Sequence, residues 1–148
     1  MAAPSKVGPA IYTDVYLNNQ TVEDLNLSEA KDWYGSGKQP ENVPLKEIRY
    51  FQHMADSDVG ISEGGMAYFI KQNIQWIVVW RNMKDQDNKV YTDITTDSTI
   101  NWDFYKEQLV KSDGHVEMTK LGYKSILNID PYSVKPNVIG KLVRTNTA

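Results

Sequence analysis

Cysteine is absent from this chain, which excludes a disulfide framework and any thiolate nucleophile or metal ligand. With only two histidines, His53 and His115, a zinc site lacks its usual donors. No window approaches the ~20 consecutive apolar residues that a membrane-spanning helix needs. Residues 1–10, which carry Pro4 and Pro9, have no apolar stretch of signal-peptide kind and read as a disordered tail. These absences predict no membrane span and a cytoplasmic location. An excess of one charge is missing too: 16 Lys and Arg are interspersed with 19 Asp and Glu, for a net charge of −3. A nucleic-acid surface gathers its cations on one face, and no such run occurs here. The same balance predicts weak attraction to anionic lipid.

What the chain has in plenty is aromatic side chains, nine Tyr and four Trp among 148 residues. A chain of this length fits one domain, expected over residues 11–148, and buries roughly 70% of its unfolded surface. Residues 66–82 are the most informative stretch. Two short runs rich in β-branched and aromatic residues, Met66–Ile70 and Ile74–Trp80, meet at Lys71-Gln72-Asn73 and read as a strand pair. In the second run Ile74, Trp76, Val78 and Trp80 share one face while Ile77 and Val79 share the other. A strand apolar on both faces belongs inside a layered structure.

Alternation marks further strands over Ile11–Asn18, Leu25–Trp33, Leu45–Met54 and Lys89–Thr95, with closing strands at Tyr123–Asp130 and Val138–Arg144. One helix is expected over Ile100–Val110, with N-cap candidates in Thr96–Thr99 and with Trp102, Tyr105 and Leu109 on one face. The predicted fold class is mainly β, an antiparallel β-sandwich with one helix packed on its side.

Several residues are candidates for chemistry. Trp76 and Trp80 read as sandwich core. Tyr91, Trp102 and Tyr105 are rings with polar tips that suit flat sugars, phenolics or headgroups, and packing between helix and sheet is the competing explanation. Arg81 closes an apolar strand and suits a carboxylate or phosphate; a strand-end charge that reaches solvent or pairs with Asp85 or Asp87 is the competing and simpler explanation. His53 is a possible general base, or a hydrogen-bonded structural residue; Asp93 is a possible partner in proton transfer. No nucleophile elbow, calcium loop or phosphate loop is complete, so neither metal nor cofactor is expected. Two sequons, at Asn19 and Asn26, read as chance matches.

An ordered set of short motifs carries a resemblance. Asp32-Trp33-Tyr34-Gly35, Phe51-Gln52-His53, Gly64-Gly65-Met66-Ala67-Tyr68, Trp76–Asn82, Asn88–Ile94, Trp102-Asp103 and Gly114-His115 follow one another. Together they resemble the plant 23-kilodalton jasmonate-induced proteins from about residue 11 to about residue 130, without that family's N-terminal helical extension. More distantly the layout is similar to the actinoporin-like β-sandwich. The resemblances imply a stress-associated binding protein and raise the question of choline-headgroup binding. Ser57, with Trp102 or Tyr105, would then fill pocket positions. Arg81 and Met83 flank Asn82 where that pocket has a Ser and a Pro, and Lys84–Asp87 contains no tyrosine. A cation at Arg81 opposes a quaternary ammonium, so these departures argue against choline binding and pore formation. The expected function is therefore to hold a small molecule, glycan or lipid headgroup in an aromatic pocket formed by Ser57, Arg81, Tyr91, Trp102 and Tyr105. The alternative is a cofactor-independent isomerase or cyclase that moves protons with Tyr, His53 or Asp93.

Overall fold

The computed structural model describes residues 11–145; the tail expected over residues 1–10 lies outside them. The strands are β1 (Tyr12–Gln20), β2 (Leu25–Tyr34), β3 (Ser36–Gly37), β4 (Asn42–Val43), β5 (Ile48–Met54), β6 (Ile61–Lys71), β7 (Ile74–Met83), β8 (Lys89–Thr95), β9 (His115–Lys120), β10 (Tyr123–Ile129) and β11 (Asn137–Arg144), and α1 (Trp102–Val110) lies between β8 and β9. They form a six-stranded sheet ordered β3-β5-β1-β11-β10-β9 and a five-stranded sheet ordered β4-β2-β6-β7-β8. The β-sandwich with a flanking helix is thus the fold. One pairing departs from the antiparallel expectation: β1 runs parallel to β11, with Tyr16 opposite Ile139.

Alternation does what it predicts. In β1, Thr13, Val15 and Leu17 are buried and face inward; in β5, Phe51 and His53 are buried while Ile48, Tyr50 and Gln52 look outward. Between the sheets, Val15, Leu17, Phe51, Met66, Tyr68, Trp76, Val78, Trp80, Leu127 and Leu142 make one continuous core. Removing a buried Trp of this kind costs about 3–5 kcal/mol. The indole N–H of Trp76 donates to Ser125 Oγ at 2.7 Å, so its one polar atom is satisfied inside the core.

The opposite face of the five-stranded sheet carries a second apolar cluster, of Ala67, Ile77 and Val79 beneath Ile100, Tyr105 and Leu109. Both faces of β7 are covered, which explains its double apolar pattern. The helix starts two residues later than its periodicity suggested. Asn101 caps it, its side chain accepting from the Phe104 N–H at 3.1 Å, in place of the Thr96–Thr99 candidates.

Strand β6 starts five residues before the expected Met66, so Gly64 and Gly65 lie inside a strand. Close approach explains the glycines. A Cβ on Gly65 would meet Val79 Cγ1 at 2.5 Å and Trp102 Cζ3 at 3.0 Å. Strand β9 was missed because only Val116 and Met118 of His-Val-Glu-Met-Thr-Lys turn partly inward; it is an edge strand. Asn19 is fully buried and donates to the carbonyls of Glu23 and Val43, so this sequon asparagine organises the β1–β2 turn.

Candidate functional site

The helix-facing side of the five-stranded sheet gathers most of the residues singled out from the sequence. Its floor is apolar, and its rim is made of the half-buried rings of Trp33, Tyr91 and Trp102. Trp33 and Trp102 meet edge to face at 6.0 Å between centroids, and Tyr91 lies 6.3 Å from Tyr105. Gly65 makes the room in which Trp102 sits against the sheet.

Three carboxylates from three different strands rise from this floor, and each holds a helix residue. Glu29 of β2 accepts from the Trp102 indole N–H at 3.0 Å. Asp93 of β8 accepts from the Tyr105 hydroxyl at 2.7 Å and from Lys120 Nζ at 3.3 Å. Glu63 of β6 faces Arg81 Nε at 3.1 Å and Lys106 Nζ at 3.6 Å. Acids on a sheet face beneath a helix are costly unless paired, and the pairing here fixes both the helix and its aromatic side chains.

The surroundings shift the ionisation of several groups. Burial pushes the Glu63 carboxyl up, against the opposing pull of Arg81 and Lys106. Burial also raises the phenols of Tyr105 and Tyr91, with Asp93 adding to both. A Tyr105 phenol held neutral and donating to Asp93 is a positioning contact and a poor proton donor to a substrate.

Arg81, Tyr91, Asp93, Trp102 and Tyr105 therefore lie on one face, as a shared site requires. Ser57 stands apart on an exposed turn between β5 and β6. Tyr105 is buried beneath the helix, which leaves Tyr91 and Trp102 as the accessible rings of the group. Beyond them, an open groove of about 340 Å³ is lined by Asp103, Lys106, Glu107, Val110 and Lys111. Sequence reasoning passed over Glu29, Trp33, Glu63 and Lys106. The available signal was Glu63 in Ile61-Ser-Glu-Gly-Gly65, an acid leading into an apolar run, which reads as a loop until the strand is seen to include it.

His53 is elsewhere, fully buried between the two sheets. Its Nε2 contacts Asp32 Oδ1 at 2.9 Å and its Nδ1 contacts Ser62 Oγ at 2.7 Å. Thr13 lies 2.8 Å from Ser62, and Asn82 donates to Thr13 at 3.3 Å. With His53 neutral and its Nε2–H donating to the Asp32 carboxylate, Nδ1 accepts from the Ser62 hydroxyl and Ser62 in turn accepts from Thr13; Ser62 Oγ also lies 3.3 Å from the His53 carbonyl oxygen, which competes for the same hydroxyl proton. This arrangement has the members of a Ser-His-Asp triad in the wrong order of access. A hydrolase exposes the serine and buries the acid, whereas here Ser62 is fully buried and the Asp32 side chain is 37% exposed. The network stitches the sheets together, and no substrate reaches His53 in the closed sandwich. Burial lowers the His53 pKa, with Asp32 working against that shift.

Among the described residues, no group of three or more His, Cys, Asp and Glu is placed to hold a metal ion, and no helix is long and apolar enough to cross a membrane.

Comparison with known proteins places the fold. No protein-family model matches the chain, and a search of curated protein sequences finds no match. Among solved structures, the crystal structure of the lipid-binding protein Nakanori matches with a TM-score of 0.82 over 95% of this chain and 75% of that one, at 13% identity. The two proteins share a fold, and at this identity the likeness is one of fold alone.

Proposed function

We propose that this protein binds a lipid headgroup or a similar small polar molecule at the helix-facing side of its five-stranded sheet, and that it does so without forming a pore. The observation that carries the reading is the cluster itself. Half-buried Trp33, Tyr91 and Trp102 stand on the same face as Arg81 and Lys106; Trp102 is held by its hydrogen bond to Glu29, Tyr91 by contact with Tyr105, and Trp33 by contact with Trp102. Aromatic faces with a few fixed polar groups are the usual makeup of a small-ligand site. The fold shared with a lipid-binding protein supports the same reading. Packing of α1 onto the sheet through Tyr105 and Leu109 favours binding over insertion, because releasing the helix would expose this buried face.

Within this proposal, Arg81, Tyr91 and Trp102 are the contact residues and Tyr105 positions them. Ser57 contributes only if a ligand extends across the end of β7. The stress association and the cytoplasmic location belong to the proposal as well, and rest on the ordered motifs and the composition.

Co-sedimentation with phospholipid vesicles, together with native mass spectrometry of protein isolated gently from its source, tests the reading. Wild-type protein should pellet with vesicles or carry a retained small-molecule mass, and Trp102→Ala and Tyr91→Ala should lose that binding with the fold intact. Equal binding by both variants would move the site elsewhere. No binding and no retained mass would overturn the proposal.

A further inference from the structure

We propose that Glu63, with the ring faces of Trp33 and Tyr34, forms a site for a protonated primary amine, and that the Lys106 ammonium occupies it as a tethered competitor. The natural-ligand part of this inference rests on the function proposed above; the amine site itself does not.

Glu63 is the starting point because its side chain is fully buried. Neither of its carboxylate oxygens receives a well-formed hydrogen bond from the described residues. Arg81 supplies charge from one side, with Nε 3.1 Å from Oε2 but not aligned for a hydrogen bond. Lys106 supplies it from the other, and at 3.6 Å from Oε1 it stops short of hydrogen-bonding distance. Glu63 is thus a buried carboxylate held by two ion pairs, neither of them a well-formed hydrogen bond.

Two rings complete the enclosure. Lys106 Nζ lies 5.8 Å from the Trp33 ring centroid and 5.3 Å from that of Tyr34. Both distances are within the range at which the negative face of a ring attracts a cation. A carboxylate and two aromatic faces converging on one ammonium is the chemistry that recognises an amine.

The present occupant is replaceable. The Lys106 side chain is 37% exposed and borders the groove along α1. Its flexible stem lets the ammonium withdraw into water, whereas Glu63 has no such freedom. Lys106 Nζ stands 3.6 Å from Oε1, whereas a free ammonium that bonds a carboxylate closes to about 2.8 Å. Asp103 and Glu107 line the same groove with Lys106 and Lys111, so in Lys106→Ala the two acids outnumber the one remaining cation there.

The class follows from the unsatisfied oxygens. A quaternary ammonium would meet the rings but has no N–H for Glu63. A primary ammonium has three donors and meets both needs. Its source is either an aminoalkyl lipid headgroup or a small free amine.

Chemical rescue tests the site. Lys106→Ala in the full chain should lower the melting temperature by about 3–6 °C. Millimolar methylammonium chloride should restore it saturably, beyond sodium chloride or tetramethylammonium chloride at equal ionic strength. The Glu63→Gln, Lys106→Ala double variant should show no amine-specific restoration. If either variant folds poorly, wild-type protein gives the same answer: methylammonium should shift the Trp33 indole N–H resonance, and sodium chloride should not. Rescue no better than sodium chloride, together with an unmoved Trp33 signal, overturns the amine site. Vesicles then separate the sources. Stronger binding of Lys106→Ala to phosphatidylcholine vesicles containing phosphatidylethanolamine than to phosphatidylcholine alone assigns a headgroup amine. Rescue without that preference assigns a free amine. Rescue with no vesicle binding and no retained metabolite would defeat the function proposed above and leave the amine site standing.

Discussion

Replacing Gly65 by Ala adds one methyl group at the point where helix and sheet come closest. The new Cβ would lie 2.5 Å from Val79 Cγ1, 3.0 Å from Trp102 Cζ3 and 3.1 Å from the Val78 carbonyl oxygen. The last of these is backbone of the paired strand and cannot yield cheaply. Overpacking of this kind costs about 1–3 kcal/mol, offset by about 0.5–1 kcal/mol because Ala loses less backbone entropy than Gly. The net loss lies between about 0 and 2.5 kcal/mol, and the 2.5 Å clash together with the backbone contact puts it in the upper part of that range, about 1–2 kcal/mol. At about 2 cal/mol/K per residue, the unfolding entropy of this chain converts that loss into a melting-temperature drop of about 3–6 °C.

Val79 must shift to relieve the tightest contact and Trp102 must lift away from the sheet to relieve the next, which stretches its 3.0 Å bond to Glu29. Ligand binding at the helix face should therefore fall further than stability alone accounts for. Gly140→Ala is the control. It too is buried in a strand, but its Cβ would find only ordinary contacts, the nearest being Leu127 Cδ1 at 3.4 Å. Urea denaturation and thermal melts of the two variants make the comparison. A Gly65→Ala protein as stable as Gly140→Ala, with unchanged tryptophan fluorescence, would refute the close-contact reasoning.

Three further outcomes follow from the same structure. Because burial holds the His53 pKa below its ordinary 6.5, the unfolded chain takes up a proton there before the folded one does. Stability should fall as pH drops below about 6.5 and level off beneath the folded pKa. His115 has a raised pKa and acts with the opposite sign, so the difference between wild type and His53→Gln in urea titrations at several pH values isolates the buried ring. An unchanged pH slope in His53→Gln would count against it. Ser125→Ala should cost about 1–3 kcal/mol, because the buried Trp76 N–H loses its acceptor and Thr92 loses a 2.7 Å partner; a urea midpoint equal to wild type would show that the core rearranges to satisfy both. Asn19→Ala should destabilise by a similar amount by freeing the Glu23 and Val43 carbonyls, and hydrogen exchange in β1 and β4 should rise with it.

Alternation and aromatic content were sufficient to identify the strands of the central hairpin, the inward face of β1 and β5, the helix, and the burial of Trp76 and Trp80. They also marked Arg81, Tyr91, Asp93, Trp102 and Tyr105, which do share a face. These properties were readable because each depends on the side chain's own period along its element. The rest required partners chosen across the fold. Gly64 and Gly65 read as a loop until the neighbours that forbid a Cβ were in place. His53 had no obvious orienting carboxylate in its own strand, and the packing of one sheet on the other brings Asp32 to it from 21 positions away. Glu63 carried no local signal of a site, and only the closing of α1 over β6 buried it between Arg81 and Lys106. The parallel β1–β11 pair has no local signature, since strand order is a long-range choice. The sequence by itself determined which residues face a core; tertiary structure alone decided which polar groups meet there, because hydrogen-bond partners are set by register and layer contact, and no period along the chain encodes them.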